Sequence, residues 1–182
     1  MQTRRRVASA HRSRPILITL DHFNQLDAAQ AAALLWPCVA LPDWTARVVS
    51  GRPYPDRAAL LAAADQACAG WQCGDLDRAL SAHPRIGEKP QGVTAHARLS
   101  HQEQAGVTPA QDDVLLALQA GNARYEATFG RIFLIRASGR GADEILQELQ
   151  RRLRHSEQQE IQEALAQLRQ ITLLRLEGII QP

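Results

Sequence analysis

Apolar side chains recur every three or four residues along most of the chain. The repeat is clearest near the C-terminus, at Ile161, Leu165, Leu168, Ile171, Leu174 and Ile179. This period places apolar side chains on one face of a helix. Ser156 and Glu157 mark a break just before the repeat. The pattern therefore predicts a helix over 157–179.

Capping residues, glycines and prolines divide the rest of the chain into further helices. The first is predicted to begin at Thr19 or Asp21 and to end at Pro37. Six more are predicted at 42–48, 56–71, 74–82, 100–106, 108–128 and 142–154. Aromatic residues make up only 4% of the chain, and good helix formers are abundant. The expected fold is all-α, a single domain that forms an irregular bundle of about eight helices.

One segment interrupts this helical pattern. Residues 83–97 contain Pro84, Gly87, Pro90 and Gly92, which prevent regular structure. A long loop inside a helical domain often carries function. We therefore expect candidate functional residues in or beside this loop.

Charge is distributed unevenly along the 182 residues. The first 14 residues hold five arginines and no acid, so the remainder has 16 basic and 19 acidic residues. We expect residues 1–15 to be a disordered basic extension and residues 16–182 to form the single domain. An acidic domain argues against nucleic-acid binding. The alternative that stays open is a helical interaction or nucleic-acid-binding module that uses the basic N-terminal arm.

Composition also bears on the compartment and on cofactors. The chain has no run of about 18 apolar residues, so no membrane span is predicted. The three cysteines Cys38, Cys68 and Cys73 are irregularly spaced, which indicates neither a disulfide framework nor a zinc site. We expect a cytoplasmic protein. Because metal motifs, phosphate-binding loops and nucleophile elbows are missing from the sequence, we expect acid/base chemistry with no cofactor and no metal.

His83 is the first candidate for that chemistry. It ends a predicted helix and is followed by Pro84, which disfavours further helix. One interpretation is a cap that complements the negative end of the helix dipole. The other is a proton-transfer group at a pocket rim, since imidazole titrates near neutral pH and a polar loop follows it.

Two further charged residues have open interpretations. Glu103 lies three residues after Ser100, which is the spacing of an N-terminal capping box. Arg175 lies in the apolar stretch 171–176, and a partly buried arginine needs a carboxylate or carbonyl partner. Both Glu103 and a bound anionic substrate are candidate partners. Arg136 ends another apolar run and raises the same question.

A series of short motifs spans about residues 17–180. They are Phe23-Asn24, Arg52-Pro53-Tyr54, His83-Pro84-Arg85-Ile86-Gly87, Ser100-His101-Gln102-Glu103-Gln104, Asn122-x-x-Tyr125, Phe133-Leu134-Ile135, Glu144-Ile145-Leu146 with Arg152, and Leu174-Arg175-Leu176. Each motif alone is weak. In this order, the set resembles the 2-oxo-4-hydroxy-4-carboxy-5-ureidoimidazoline (OHCU) decarboxylase family.

The resemblance implies a homodimeric all-α enzyme without a cofactor, which converts OHCU to (S)-allantoin and carbon dioxide in urate degradation. It implies that His83 is catalytic, that Glu103 is its partner carboxylate and that Arg175 is an anion-binding arginine. It also implies substrate contacts at Pro84, Ser100, His101, Gln102, Glu103, Gln104, Phe133, Leu134, Ile135, Arg136 and Ala137. Another cofactor-free reaction of a ureido compound on the same scaffold, such as hydration or isomerisation, stays open.

Overall fold

Nine helices and two very short strands make up the part of the chain that the computed structural model describes, residues 17–81, 83–87, 95–107 and 111–181. In chain order they are β1 (Ile18–Thr19), α1 (Leu20–Gln25), α2 (Ala28–Leu35), α3 (Pro42–Ser50), α4 (Arg57–Cys68), α5 (Cys73–Leu80), α6 (Ala95–Glu103), α7 (Asp112–Phe129), α8 (Ala142–Arg152), α9 (Glu157–Ile179) and β2 (Ile180–Gln181). The prediction of an all-α domain is confirmed.

Several helices begin where local capping predicts. Pro42 occupies the first turn of α3, where its missing N–H costs no hydrogen bond. The Asp56 carboxylate accepts the Ala59 N–H at 2.7 Å and starts α4. Ser156 caps α9 by accepting the Gln159 N–H at 3.3 Å, and the bounds of α9 match the prediction.

The predicted first helix is in fact two helices. The Asp27 carboxylate accepts the Gln30 N–H at 2.7 Å and starts α2 only two residues after α1 ends. The periodic pattern continues across this break because both helices bury apolar side chains in the same core. A prediction from periodicity alone therefore gives one helix instead of two. This division accounts for nine helices where about eight are predicted.

The prediction that Ser100 caps a helix is wrong. The helix α6 begins at Ala95, and both Ser100 and Glu103 lie in its C-terminal half. Their side chains bind Arg175 of α9 instead of backbone N–H groups of their own helix. Residues 95–97, which were expected in the loop, therefore belong to α6, and residues 88–94 of the expected loop lie outside the described residues. The predicted start of the next helix at 108–109 lies outside the described residues, and α7 is described from Asp112.

Strands β1 and β2 pair in parallel, with Ile18 opposite Ile180. Arg57 at the start of α4 donates to the carbonyl oxygens of Ile180 at 3.0 Å and Glu177 at 2.9 Å. These contacts join the beginning of the domain to the end of α9.

The buried apolar side chains form two clusters. The larger surrounds α9 with α1 to α5 and includes Phe23, Trp44, Leu60 and Leu168. The smaller cluster lies between α7 and α8 and includes Leu118, Tyr125 and Ile145. Gly121 of α7 leaves the space that the Leu149 side chain of α8 occupies. Across the described helices, none is long and apolar enough to cross a membrane.

Candidate active site

A small cavity opens where the two hydrophobic clusters meet. Nine of the positions that sequence reasoning assigned to a site line it. The polar ones are His83, Ser100, Glu103 and Gln104, and the apolar ones are Pro84, Phe133, Leu134, Ile135 and Ala137. The cavity thus has one polar side, contributed by α6 and the segment after α5, and one apolar side.

His83 is held at this cavity by the end of α5. Its ring Nδ1 lies 3.0 Å from the carbonyl oxygen of Ala79 in the last turn. A carbonyl oxygen only accepts hydrogen bonds, so we assign the ring proton to Nδ1. The neutral ring then carries its basic lone pair on Nε2. His83 can therefore bind the helix end and serve the pocket at once, because Nδ1 binds the Ala79 carbonyl while Nε2 keeps its lone pair.

The segment 83–87, which we call the His83 loop, is fixed by side chains of α7 and by Gln104, the residue that follows α6. The Gln104 side chain accepts the Gly87 N–H at 3.0 Å, and Asn122 donates to the Ile86 carbonyl at 2.9 Å. Arg85 forms a two-pronged ion pair with Glu126, with N···O distances of 2.5 and 2.9 Å. These anchors hold the backbone that carries His83.

Arg175 reaches the pocket from behind. Its Nε and Nη2 donate to the two carboxylate oxygens of Glu103 at 2.5 and 2.7 Å. Nη2 also donates to the Ser100 hydroxyl at 3.1 Å, and Nη1 to the Pro37 carbonyl at 3.2 Å. The Arg175 side chain is 1% exposed, and that of Glu103 is 17% exposed. Of the two partners left open for Arg175, the structure places Glu103 against it.

The apolar wall comes from residues 133–137, which we call the wall segment. Gly130 ends α7 in the left-handed conformation, with φ of 67°, and the chain then runs without helix to α8. Arg152 of α8 donates to the Leu134 carbonyl at 2.7 Å and lies 4.6 Å from the Phe133 ring centre. Gln167 of α9 accepts the Arg136 N–H at 2.9 Å.

Three of the predicted contact residues do not line the cavity. His101 and Gln102 are exposed on α6. The Arg136 guanidinium donates to the Ser138 carbonyl at 3.3 Å, so only its backbone takes part in the wall segment. Substrate contacts at these residues stay predictions.

Four residues around the site were not assigned to it from the sequence, although Ile86 and Arg152 belong to motifs that carry the family resemblance. Ile86 and Ile171 line the cavity, while Arg152 and Gln167 hold the wall segment. A signal exists for Arg152, which follows Leu149 by three residues and so shares the apolar face of α8. Gln167 likewise interrupts the apolar face of α9, four residues before Ile171.

A buried cysteine lies close to the polar side of the cavity. Burial raises the pKa of Cys38, behind the Glu103–Arg175 pair, to about 12, so it stays a thiol at neutral pH. Among the side chains described, no group of three or more His, Cys, Asp or Glu is arranged to hold a metal ion. The imidazole of His83, the carboxylate of Glu103 and the hydroxyl of Ser100 are the cavity's groups for proton transfer and hydrogen bonding.

Comparison with known proteins places this arrangement in context. Residues 24–177 match the model of the OHCU decarboxylase family. The OHCU decarboxylase of Amia calva is 32% identical over 148 residues, which is 80% of this chain and 81% of that protein. A uric acid degradation bifunctional protein of a Bacillus strain is 24% identical over 91% of this chain, but this chain covers only 33% of it.

Solved structures agree with the sequence relatives. The crystal structure of an OHCU decarboxylase in the presence of (S)-allantoin aligns with a TM-score of 0.65 at 28% identity, covering 79% of this chain and 94% of that one. An (S)-allantoin synthase structure, at 19% identity, shares the fold with the same TM-score. These findings give no support to a helical interaction or nucleic-acid-binding module. The chain belongs to the OHCU decarboxylase family.

Proposed function

We propose that this protein decarboxylates OHCU to (S)-allantoin and carbon dioxide in urate degradation, without a cofactor. The observation that carries the proposal is the meeting of His83, Ser100 and Glu103 at one cavity in a chain of this family.

The substrate supplies its own electron sink. The ring carbon that loses the carboxylate also carries a hydroxyl, and the neighbouring ring carbon carries the ureido group and a C=N bond. When the carbon–carboxylate bond breaks, its electron pair forms a double bond between the two ring carbons. The C=N electron pair moves to nitrogen, which takes up a proton. The resulting enol then loses its hydroxyl proton and gains a proton on the ureido-bearing carbon, which becomes the stereocentre.

His83 is the proposed acid/base in this series of reaction steps. Nε2 accepts the hydroxyl proton while Nδ1 stays bound to the Ala79 carbonyl, so the ring keeps its orientation when it becomes charged. Such a positioned group typically contributes about 10²–10⁴-fold to the rate. His83, once protonated, or a water molecule then delivers a proton to one face of the ureido-bearing carbon.

Glu103 and Arg175 have separate proposed roles. The Glu103 carboxylate accepts an N–H of the substrate ring or ureido group and helps to orient the imidazole. Arg175 acts through Glu103, because its Nε and Nη2 already bind that carboxylate. An arginine that held the departing carboxylate would stabilise the ground state and slow its loss. The apolar wall segment suits a group that loses its charge during the reaction.

Substitution of His83 tests the proposal. We expect His83→Ala to lower kcat by about 10²–10⁴-fold once spontaneous decay of the substrate is subtracted. The measurement is the circular dichroism of (S)-allantoin formed from freshly generated OHCU. The matched control is His22→Ala, since His22 is an exposed residue of α1 that does not line the cavity. A wild-type rate in His83→Ala would disprove its assignment.

Two finer expectations belong to the same proposal. We expect a homodimer, which sedimentation velocity of the purified protein measures directly. We also expect the protein to act in the cytoplasm, on a small molecule and not on nucleic acid.

A further inference from the structure

Two polar side chains of the core hold the wall segment from outside the cavity. Arg152 Nη1 donates to the Leu134 carbonyl at 2.7 Å, and Gln167 Oε1 accepts the Arg136 N–H at 2.9 Å. Arg152 is 0% exposed and Gln167 is 8% exposed. Arg152 is itself paired with the buried Glu160, which also accepts the Tyr125 hydroxyl. Both anchors therefore sit in solvent-excluded surroundings, where an unmade hydrogen bond is costly.

These contacts fix the two peptide groups on either side of Ile135. In a trans peptide the C=O and the following N–H point in opposite directions. Because the Leu134 carbonyl faces Arg152, the Ile135 N–H points away from Arg152. Because the Arg136 N–H faces Gln167, the Ile135 carbonyl points away from Gln167. Ile135 lines the cavity, and so its donor and acceptor are both turned away from the helices behind it.

We propose that Gln167 is a positioning residue, which with Arg152 turns the N–H and C=O of Ile135 toward the cavity as a donor–acceptor pair. Such a pair matches a group that offers a carbonyl oxygen and an N–H side by side, as a ureido group or a cyclic urea does. The inference rests on the proposed function, because it names the protein groups that would recognise the ureido compound.

Gln167 offers a clean test because it is neutral. Removing Arg152 would leave the Glu160 charge buried without its partner, and the fold itself would suffer. Gln167→Met keeps the length of the side chain but removes the oxygen that accepts the Arg136 N–H. The control is Gln170→Met, since Gln170 is an exposed residue of the same helix.

Binding of (S)-allantoin, measured by calorimetry, is the main readout. We expect Gln167→Met to weaken binding by about three- to tenfold, the effect of one hydrogen bond. We expect KM for OHCU to rise by a similar factor, with a smaller change in kcat. Gln170→Met is expected to stay within about twofold of wild type. A purely structural role would lower the thermal stability of Gln167→Met and leave its affinity unchanged.

A second measurement covers the case in which Gln167→Met does not fold. Wild-type protein labelled with ¹⁵N-isoleucine is titrated with (S)-allantoin, and Ile135→Val identifies the Ile135 amide signal by its loss. We expect that signal to shift. An unchanged signal at saturation, or unchanged affinity in a folded Gln167→Met, overturns the inference. If wild-type protein neither binds (S)-allantoin nor accelerates decarboxylation, the proposed function fails instead.

Discussion

Arg175 shows how one buried side chain can define a site that it does not line. Its guanidinium binds both carboxylate oxygens of Glu103, the Ser100 hydroxyl and the Pro37 carbonyl. A planar guanidinium can make these contacts together, whereas an ammonium group acts as a single point charge. The orientation of Glu103 at the cavity therefore depends on the shape of Arg175 as much as on its charge.

Arg175→Lys separates shape from charge. We expect kcat to fall about 10- to 100-fold, since losing one charged hydrogen bond costs about 1.5–3 kcal/mol. KM is expected to change much less, because Arg175 acts through Glu103. Steady-state kinetics by allantoin circular dichroism measure both constants. Arg169→Lys is the matched control, since Arg169 forms a two-pronged pair with Asp65 on the surface of α9. Equal kcat in Arg175→Lys and wild type would contradict the role given to Arg175.

At the scale of elements, the His83 loop depends on α6 and α7. Gln104, the residue that follows α6, and Asn122 of α7 bind its backbone, and Glu126 of α7 binds Arg85. Asn122 and Glu126 are four residues apart and so lie on one face of α7. The site is consequently placed in part by α7, which belongs to the smaller hydrophobic cluster, while Arg175 comes from α9, which belongs to the larger one.

Glu126→Gln tests this anchoring. We expect it to lower kcat/KM by about two- to fivefold, the scale of one half-exposed ion pair. Asp65→Asn is the control, because it removes a similar surface pair that does not touch the His83 loop. The same kcat/KM in both variants would mean that the Arg85–Glu126 pair has no influence on the site.

The same pair makes a pH-dependent contribution to stability. Hydrogen bonds from Arg85 lower the pKa of Glu126 below its usual 4.5. A lowered folded-state pKa stabilises the fold above pH 4.5, and this contribution is lost as pH falls through the folded-state pKa. Urea denaturation should thus show Glu126→Gln to be about 0.2–1 kcal/mol less stable at pH 7. The difference should vanish in acid.

On the scale of the whole molecule, the first and last elements of the described domain contact each other. Ile18 pairs with Ile180, and Arg57 binds the carbonyls that end α9. The cavity lies at the boundary of the two hydrophobic clusters of this domain. The five arginines of residues 1–14 precede the first of these contacts.

We therefore expect a chain without residues 1–15 to keep its activity. Its kcat/KM for OHCU and its melting temperature should match those of the full chain, because Ile18 and the later contacts remain. The alternative, an arm that binds nucleic acid, predicts binding that falls steeply with salt and is lost on truncation. Kinetics of the two proteins, together with a salt series of duplex DNA binding, decide between these outcomes.

Local chemistry along the chain determined the helices. The repeat of apolar residues and the Ser156 cap predicted α9, and Asp56 and Pro42 predicted the starts of α4 and α3, because helical hydrogen bonds and caps join residues a few positions apart. Motif order also pointed to the family and to a set of candidate residues around His83. These features depend on residues that are close together in the chain, so they can be predicted without knowledge of the fold.

Only the tertiary structure decided which polar groups meet. Glu103 and Ser100 have the spacing of a capping box, yet both bind Arg175, which is 72 residues from Glu103 in the chain. Spacing could not reveal this, because a buried guanidinium needs partners from any element that packs against it. Arg152 and Gln167 hold the wall segment for the same reason. Packing between elements that are distant in the chain therefore determined which of these polar groups became hydrogen-bond partners.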